Sequence, residues 1–152
     1  MRHLALAALA AAALLACPAA GSAQNTYRAT VVSQMDAAGS VFTRQGFRSA
    51  PDVFDRNSIV GALAQGATSM LELSLVAGVE YRITGVCDED CSDLDLRLFA
   101  PGSTQATEKD DSDDDVPILA FTAPTTGPYM LAVDMAKCSG SYCYYGYRVY
   151  RK

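Results

Sequence analysis

Past Gly66 the apolar residues fall on every second position, the period of a strand with one face turned to a core. Leu71, Leu73 and Leu75 alternate with Met70, Glu72 and Ser74. After a turn at Ala77-Gly78, Val79, Tyr81 and Ile83 repeat the pattern up to Gly85. Leu94, Leu96 and Leu98 follow, closed by Pro101-Gly102, and a long acidic loop comes next. Val116 to Thr122, Tyr129 to Met135 and Tyr145 to Val149 complete six short strands separated by turns. This spacing predicts a mainly β fold, an antiparallel jelly-roll β-sandwich in which Leu71, Leu96 and Leu131 share one interior.

Before Gly66 the alternation is missing. Val31, Met35, Ala38 and Phe42 instead fall on one side of a helix. Gly39 is expected to interrupt that helix, and the Gly46 to Pro51 stretch to end it. Val53 to Leu63 reads as a second short helical or irregular piece. Residues 24–62 are therefore expected to form an N-terminal helical arm over an edge or end of the β body, and residues 63–152 the sandwich itself.

The first 23 residues carry a different pattern. Arg2 is followed by an apolar run from Leu4 to Ala16 and by small residues ending at Ala23, the order found in a cleavable signal peptide. The run is shorter than the roughly 20 residues that cross a bilayer as a helix, and no later stretch is long and apolar enough to do so. The expected location is therefore exported, periplasmic or secreted. Cys17 follows Leu14-Leu15-Ala16, so a structural lipoprotein anchored through Cys17 is an alternative.

Cleavage after Ala23 leaves 129 residues, enough for one domain. The net charge of −5 becomes −6 when Arg2 leaves. So acidic a chain argues against nucleic acid as a partner. Cys87, Cys91, Cys138 and Cys143 remain, and in an oxidising compartment two disulfides are the default. The short polar turns 88–90 and 139–142 favour Cys87 with Cys91 and Cys138 with Cys143, with a zinc site as the rival use of the same four residues.

The strands carry a family resemblance in Leu63-Ala64-Gln65-Gly66, in Leu75-Val76-Ala77-Gly78-Val79-Glu80-Tyr81 and in Asp93 to Phe99. It continues in Ile118 to Pro124 and Gly127 to Val133. From Leu63 onward the chain resembles the bacterial pre-peptidase C-terminal (PPC) domain. The resemblance implies a β-sandwich and a non-catalytic accessory role beside secreted enzymes, in some relatives with bound calcium. The paired cysteines, the helical arm and the absence of an attached catalytic domain depart from that pattern.

Candidate chemistry is sparse. The one histidine is His3, so residues 24–152 hold none, which removes the commonest general base and the commonest partner of a nucleophile. A non-catalytic binding or accessory protein is the leading expectation, and a carboxylate-dependent hydrolase is the enzymatic alternative. Charge is uneven: residues 88–115 hold eleven acids and two bases, whereas residues 116–152 hold four bases and one acid. Asp111, Asp113 and Asp115 alternate, so they could turn toward one calcium ion, Ca2+, which takes six to eight oxygens. The same pattern suits a solvated acidic loop. Asp93 and Asp95 are expected to share a strand face and to need a backbone or cationic partner if a loop covers them. Alternation turns Tyr145 and Tyr147 inward and leaves Tyr142 and Tyr144 as candidate rings for a secreted protein or a carbohydrate.

Overall fold

The computed structural model describes residues 21–53 and 59–152. The apolar run and Cys17 of the expected export segment lie outside them, and Gly21, Ser22 and Ala23 belong to the first turn of the helix described next.

Helix α1 (Gly21–Arg44) comes first, then β1 (Arg48–Ser49) and a single 3-10 turn at Pro51–Val53. The strands continue with β2 (Ile59–Leu63), β3 (Thr68–Leu75), β4 (Glu80–Cys87), β5 (Cys91–Phe99) and β6 (Ala106–Asp110). The last three are β7 (Ile118–Thr122), β8 (Gly127–Cys138) and β9 (Cys143–Arg151). One sheet runs β2-β9-β4-β7, with β1 extending the β2 edge, and the other β3-β8-β5-β6. The pairs β2 with β9, β3 with β8, β4 with β7 and β5 with β6 are all antiparallel. The chain is thus a long hairpin of strands wound into two facing sheets, which is the jelly roll.

The interior forms where the two inner faces meet. Leu73, Leu75, Tyr81, Ile83, Leu94, Leu96, Leu98 and Leu119 are buried there with Leu131, Val133, Tyr147 and Val149, and Leu71 packs partly against them. Alternation in β3 runs out to water on its other side, as expected for a sheet with one wet face. β4 and β9 behave differently, because α1 crosses the outer face of their sheet. Val31 and Met35 bury against Val86, with Ala38, Val60 and Tyr144 around them, and Phe42 packs with Phe47 and Tyr150.

Several expectations change here. Gly39 does not interrupt α1. A β-carbon at Gly39 would sit 1.9 Å from the Tyr150 hydroxyl, so the missing side chain is what allows the helix to lie this close. Gly146 does the same from the strand side, where a β-carbon would meet Met35 Sδ and Val31 Cγ1 at 2.8 Å. Gly85 does not end β4; it lies within the strand, where a β-carbon would crowd Leu94 and Pro117. The segment expected to be helical or irregular up to Leu63 instead supplies β2 from Ile59, which pairs with β9 in the first sheet. The acidic loop also contains a strand of its own, β6 on the edge of the second sheet.

Candidate functional site

The register puts four connections at one end of the sandwich: residues 64–67, 88–90, 111–117 and 139–142. Both disulfides are there. Cys87 bonds to Cys91 and Cys138 to Cys143, so no thiolate of the four is left for zinc. Each bond links the end of a strand in one sheet to the start of a strand in the other, and Cys91 faces Cys138 across β5 and β8.

Backbone and side-chain bonds stitch these loops together. The Asp88 N–H donates to the Tyr144 carbonyl at 2.9 Å, and the Tyr144 N–H donates to Asp88 Oδ2 at 2.8 Å. Ser139 donates to the Asp90 carbonyl from its N–H at 2.8 Å and from its hydroxyl at 3.0 Å. The Cys138 N–H donates to Gln65 Oε1 at 3.1 Å, which ties in the 64–67 connection. Burial is the main cause that pushes the Asp88 carboxyl above its usual range, against the Tyr144 hydrogen bond, with Asp90 and Glu89 adding repulsion.

Tyr27, Tyr142 and Tyr144 are the tyrosines at this end that reach the surface. Tyr142 is 66% exposed, whereas Tyr145 and Tyr147 are buried in the core. Tyr144 is half-buried, and Tyr27 of α1 stacks on it with ring centroids 5.9 Å apart and planes 9° apart. One face of Tyr144 is therefore taken, and Tyr142 is left as the open ring. The charge of Asp90, chiefly, holds the Tyr27 phenol above its ordinary value. Tyr27 was not among the candidates, since no local pattern connects the first turns of a helix to the last strand.

The acidic loop folds over the start of β5, where the register shifts on both sides of Asp93. Its backbone takes part directly, since the Leu94 N–H donates to the Asp114 carbonyl at 2.9 Å. Asp93 is buried there and meets the Lys137 ammonium at 3.4 Å, so the partner of the covered carboxylate is a lysine. The candidate calcium ligands do not converge. Lys109 holds Asp111 at 2.5 Å, Lys137 pairs with Asp113, and these ammonium groups keep both carboxyls below their usual range. Asp115 is half-buried apart from them, and among the described residues no three His, Cys, Asp or Glu side chains gather to hold a metal. Calcium would have to displace two ammonium groups already neutralising its ligands.

Asp110 shapes the loop: its carboxylate accepts the Ile118 N–H at 2.8 Å and the Ser112 N–H at 3.2 Å. On the open face of the second sheet, Arg97 grips Asp134 with two bonds of 2.8 Å, and Thr68 donates to the same carboxylate at 2.5 Å.

No family model matches the chain. No curated protein matches it either. Among solved structures, the crystal structure of Aeromonas hydrophila PliG, a periplasmic lysozyme inhibitor of g-type lysozyme, is similar at 17% identity with a TM-score of 0.49. The alignment covers 63% of this chain and 85% of that one. Among the described residues, no helix is long and apolar enough to cross a membrane.

Proposed function

We propose that the chain is an exported, non-catalytic binding protein whose disulfide-pinned acidic end docks a basic secreted protein. One observation carries this reading. Tyr142 stands open on loops that two disulfides and the Asp88, Ser139 and Gln65 hydrogen bonds hold together, close to Asp90 and at the same end of the sandwich as the acids of loop 111–115. A loop whose backbone is held before the partner arrives loses little freedom on binding, and tyrosine is a frequent anchor of protein interfaces. Surrounding carboxylates attract a basic surface and speed encounter. The accessory role implied by the resemblance to PPC domains agrees with this reading, as does an oxidising destination for a chain with two disulfides.

A hydrolase fits the geometry less well. Its general acid needs a raised pKa within reach of substrate, yet the exposed Asp111 and Asp113 are held low by lysines, the raised Asp88 is only 2% exposed, and the half-buried Asp95, raised chiefly by burial, lies opposite Asp134 on the open face of the second sheet. Carbohydrate is a weaker alternative ligand, because the Tyr27 stack occupies one face of Tyr144.

The test is a biosensor panel with residues 24–152 immobilised against secreted basic proteins, a g-type lysozyme among them, and against acidic proteins and neutral oligosaccharides. Saturable binding to a basic protein, weakened by salt and lost in Tyr142→Ala, is expected. Binding that ignores both salt and Tyr142→Ala would overturn the site. Saturable binding to oligosaccharide alone would transfer the function to the carbohydrate reading, and substrate turnover would end the non-catalytic one.

A further inference from the structure

A second surface, remote from the acidic loops, has the opposite chemistry. Where α1 passes over β9 and β1, a groove of about 440 Å3 opens to solvent. Asp36, Ser40 and Arg44 of α1, Ser49 of β1, and Arg148 and Tyr150 of β9 wall it. The groove follows from the close seat of the helix. Gly39 lets α1 rest on the Tyr150 hydroxyl, and the long Arg148 side chain then lies along the helix flank.

Arg148 is mostly enclosed, with 23% of its side chain exposed, and it uses one guanidinium nitrogen. That nitrogen donates to Asp36 Oδ1 at 2.7 Å and to the Tyr150 hydroxyl at 3.5 Å. Its other N–H groups have no partner among the described residues. Arg44 likewise spends one nitrogen, on the Ser40 hydroxyl at 3.2 Å, and the Ser49 hydroxyl makes no hydrogen bond among the described residues. Donors thus outnumber acceptors in a concave site of a size common for small ligands.

Asp36 offsets the charge of Arg148, and the unpaired charges around the groove are positive. Arg151 is paired with Asp52 at 2.7 Å and Arg82 with Glu80 at 2.8 Å, which cancels those cations. Arg44, Arg48 and Lys152 are paired with no carboxylate among the described residues. A partly enclosed guanidinium fork is matched to two oxygens of one anionic group, and its attraction is less screened than that of a freely exposed lysine.

We propose that this groove binds a small molecule through an oxyanion group, carboxylate or phosphate, held by Arg148 and Arg44 with the Ser49 hydroxyl. The proposal is independent of the protein partner at the acidic end, since the two surfaces share no residue.

The experiment is an NMR titration of residues 24–152 at constant ionic strength, with inorganic phosphate and citrate as separate probes and sodium chloride as the control. Saturable shifts at the amides of Gly39, Ser40, Ser49 and Tyr150 are expected. Arg44→Gln, at an exposed position, should keep the spectrum of the folded protein and weaken binding about tenfold, the scale of one charge-assisted hydrogen bond. Arg148→Gln should weaken it at least as much. Saturation by phosphate alone assigns a phosphate-bearing ligand, and by citrate alone a carboxylate. The proposal is overturned if neither probe saturates, if chloride reproduces the shifts, or if Arg44→Gln binds as tightly as the parent chain.

Discussion

The two ends of the sandwich are built by opposite means. At the acidic end the corners between sheets are covalent, two disulfides standing side by side where β4 meets β5 and β8 meets β9. At the other end the corners are turns such as Ala77-Gly78 and Pro101-Gly102, and the basic groove is shaped by a helix packed on Phe47 and Tyr150. Like charges repel within a few ångströms. Crowding Asp88, Glu89 and Asp90 into one loop is tolerable where bonds prevent the loop from opening, and the unpaired cations are instead spread over a helix end, a short strand and the chain's last residues. Covalent closure therefore goes with charge concentration, and noncovalent packing with charge dispersal.

That contrast can be broken from either side. The largest effect is expected for Cys138→Ser combined with Cys143→Ser, a loss of about 2–5 kcal/mol in urea unfolding. Amide exchange should quicken first in residues 88–90 and 139–142, leaving the groove protected. A loss spread evenly over both ends would show that the disulfides do not set the difference.

Next is Gly39→Ala, which drives a β-carbon into the Tyr150 hydroxyl and should cost about 1–3 kcal/mol by overpacking. It should loosen α1 while both disulfide loops keep their exchange protection. An Ala variant as stable as the parent would mean that helix and strand separate freely at this point.

The smallest effects lie in pH dependence, where the buried Asp88 and the partly buried Asp134 differ in sign. Burial raises Asp88, so its ionisation opposes folding, and the penalty fades as pH falls through its folded value toward 3.8. Asp88→Asn keeps an oxygen for the Tyr144 N–H and should be more stable than the parent at pH 7, with the advantage gone below about pH 3.8. Burial also opposes the charge of Asp134, but the bonds from Arg97 and Thr68 win and hold it low. Asp134→Asn should therefore be less stable at pH 7, and the gap should close as pH falls below 3.8 through the folded value. Thermal melts across that range would test both, and parallel curves for either variant would refute its assignment.

Sequence alone was most legible where one strand face meets water. Leu71, Leu73 and Leu75 stand out in β3 because Met70, Glu72 and Ser74 lie opposite. Where a helix covers the second face, the signal blurs: Gly85 looked like a terminus, although it is a close-packing position inside β4. β6, Ala-Thr-Glu-Lys-Asp, has no buried residue and therefore no apolar period to detect. Gly39 reads as a helix break because its low helix propensity is a local cost, which the close contact with Tyr150 overrides. At the site, alternation correctly separated open Tyr142 from buried Tyr145 and Tyr147. The Tyr27 stack and the lysines opposite Asp111 and Asp113 come from elements distant in the chain or on a strand that composition hides.

The nesting of the jelly roll imposes an order on maturation. β5 and β6 need only a short connection to meet, but β9, the last strand, lies between β2 and β4. Until its residues emerge, the first sheet has no centre and α1 has half of its seat missing, so the Val31, Met35 and Phe42 stripe stays open to any chaperone present. A chain emerging from its amino end must therefore be made through β9 before the sandwich can close, and stopping just short of Cys143 would leave β2 and β4 with nothing to join them.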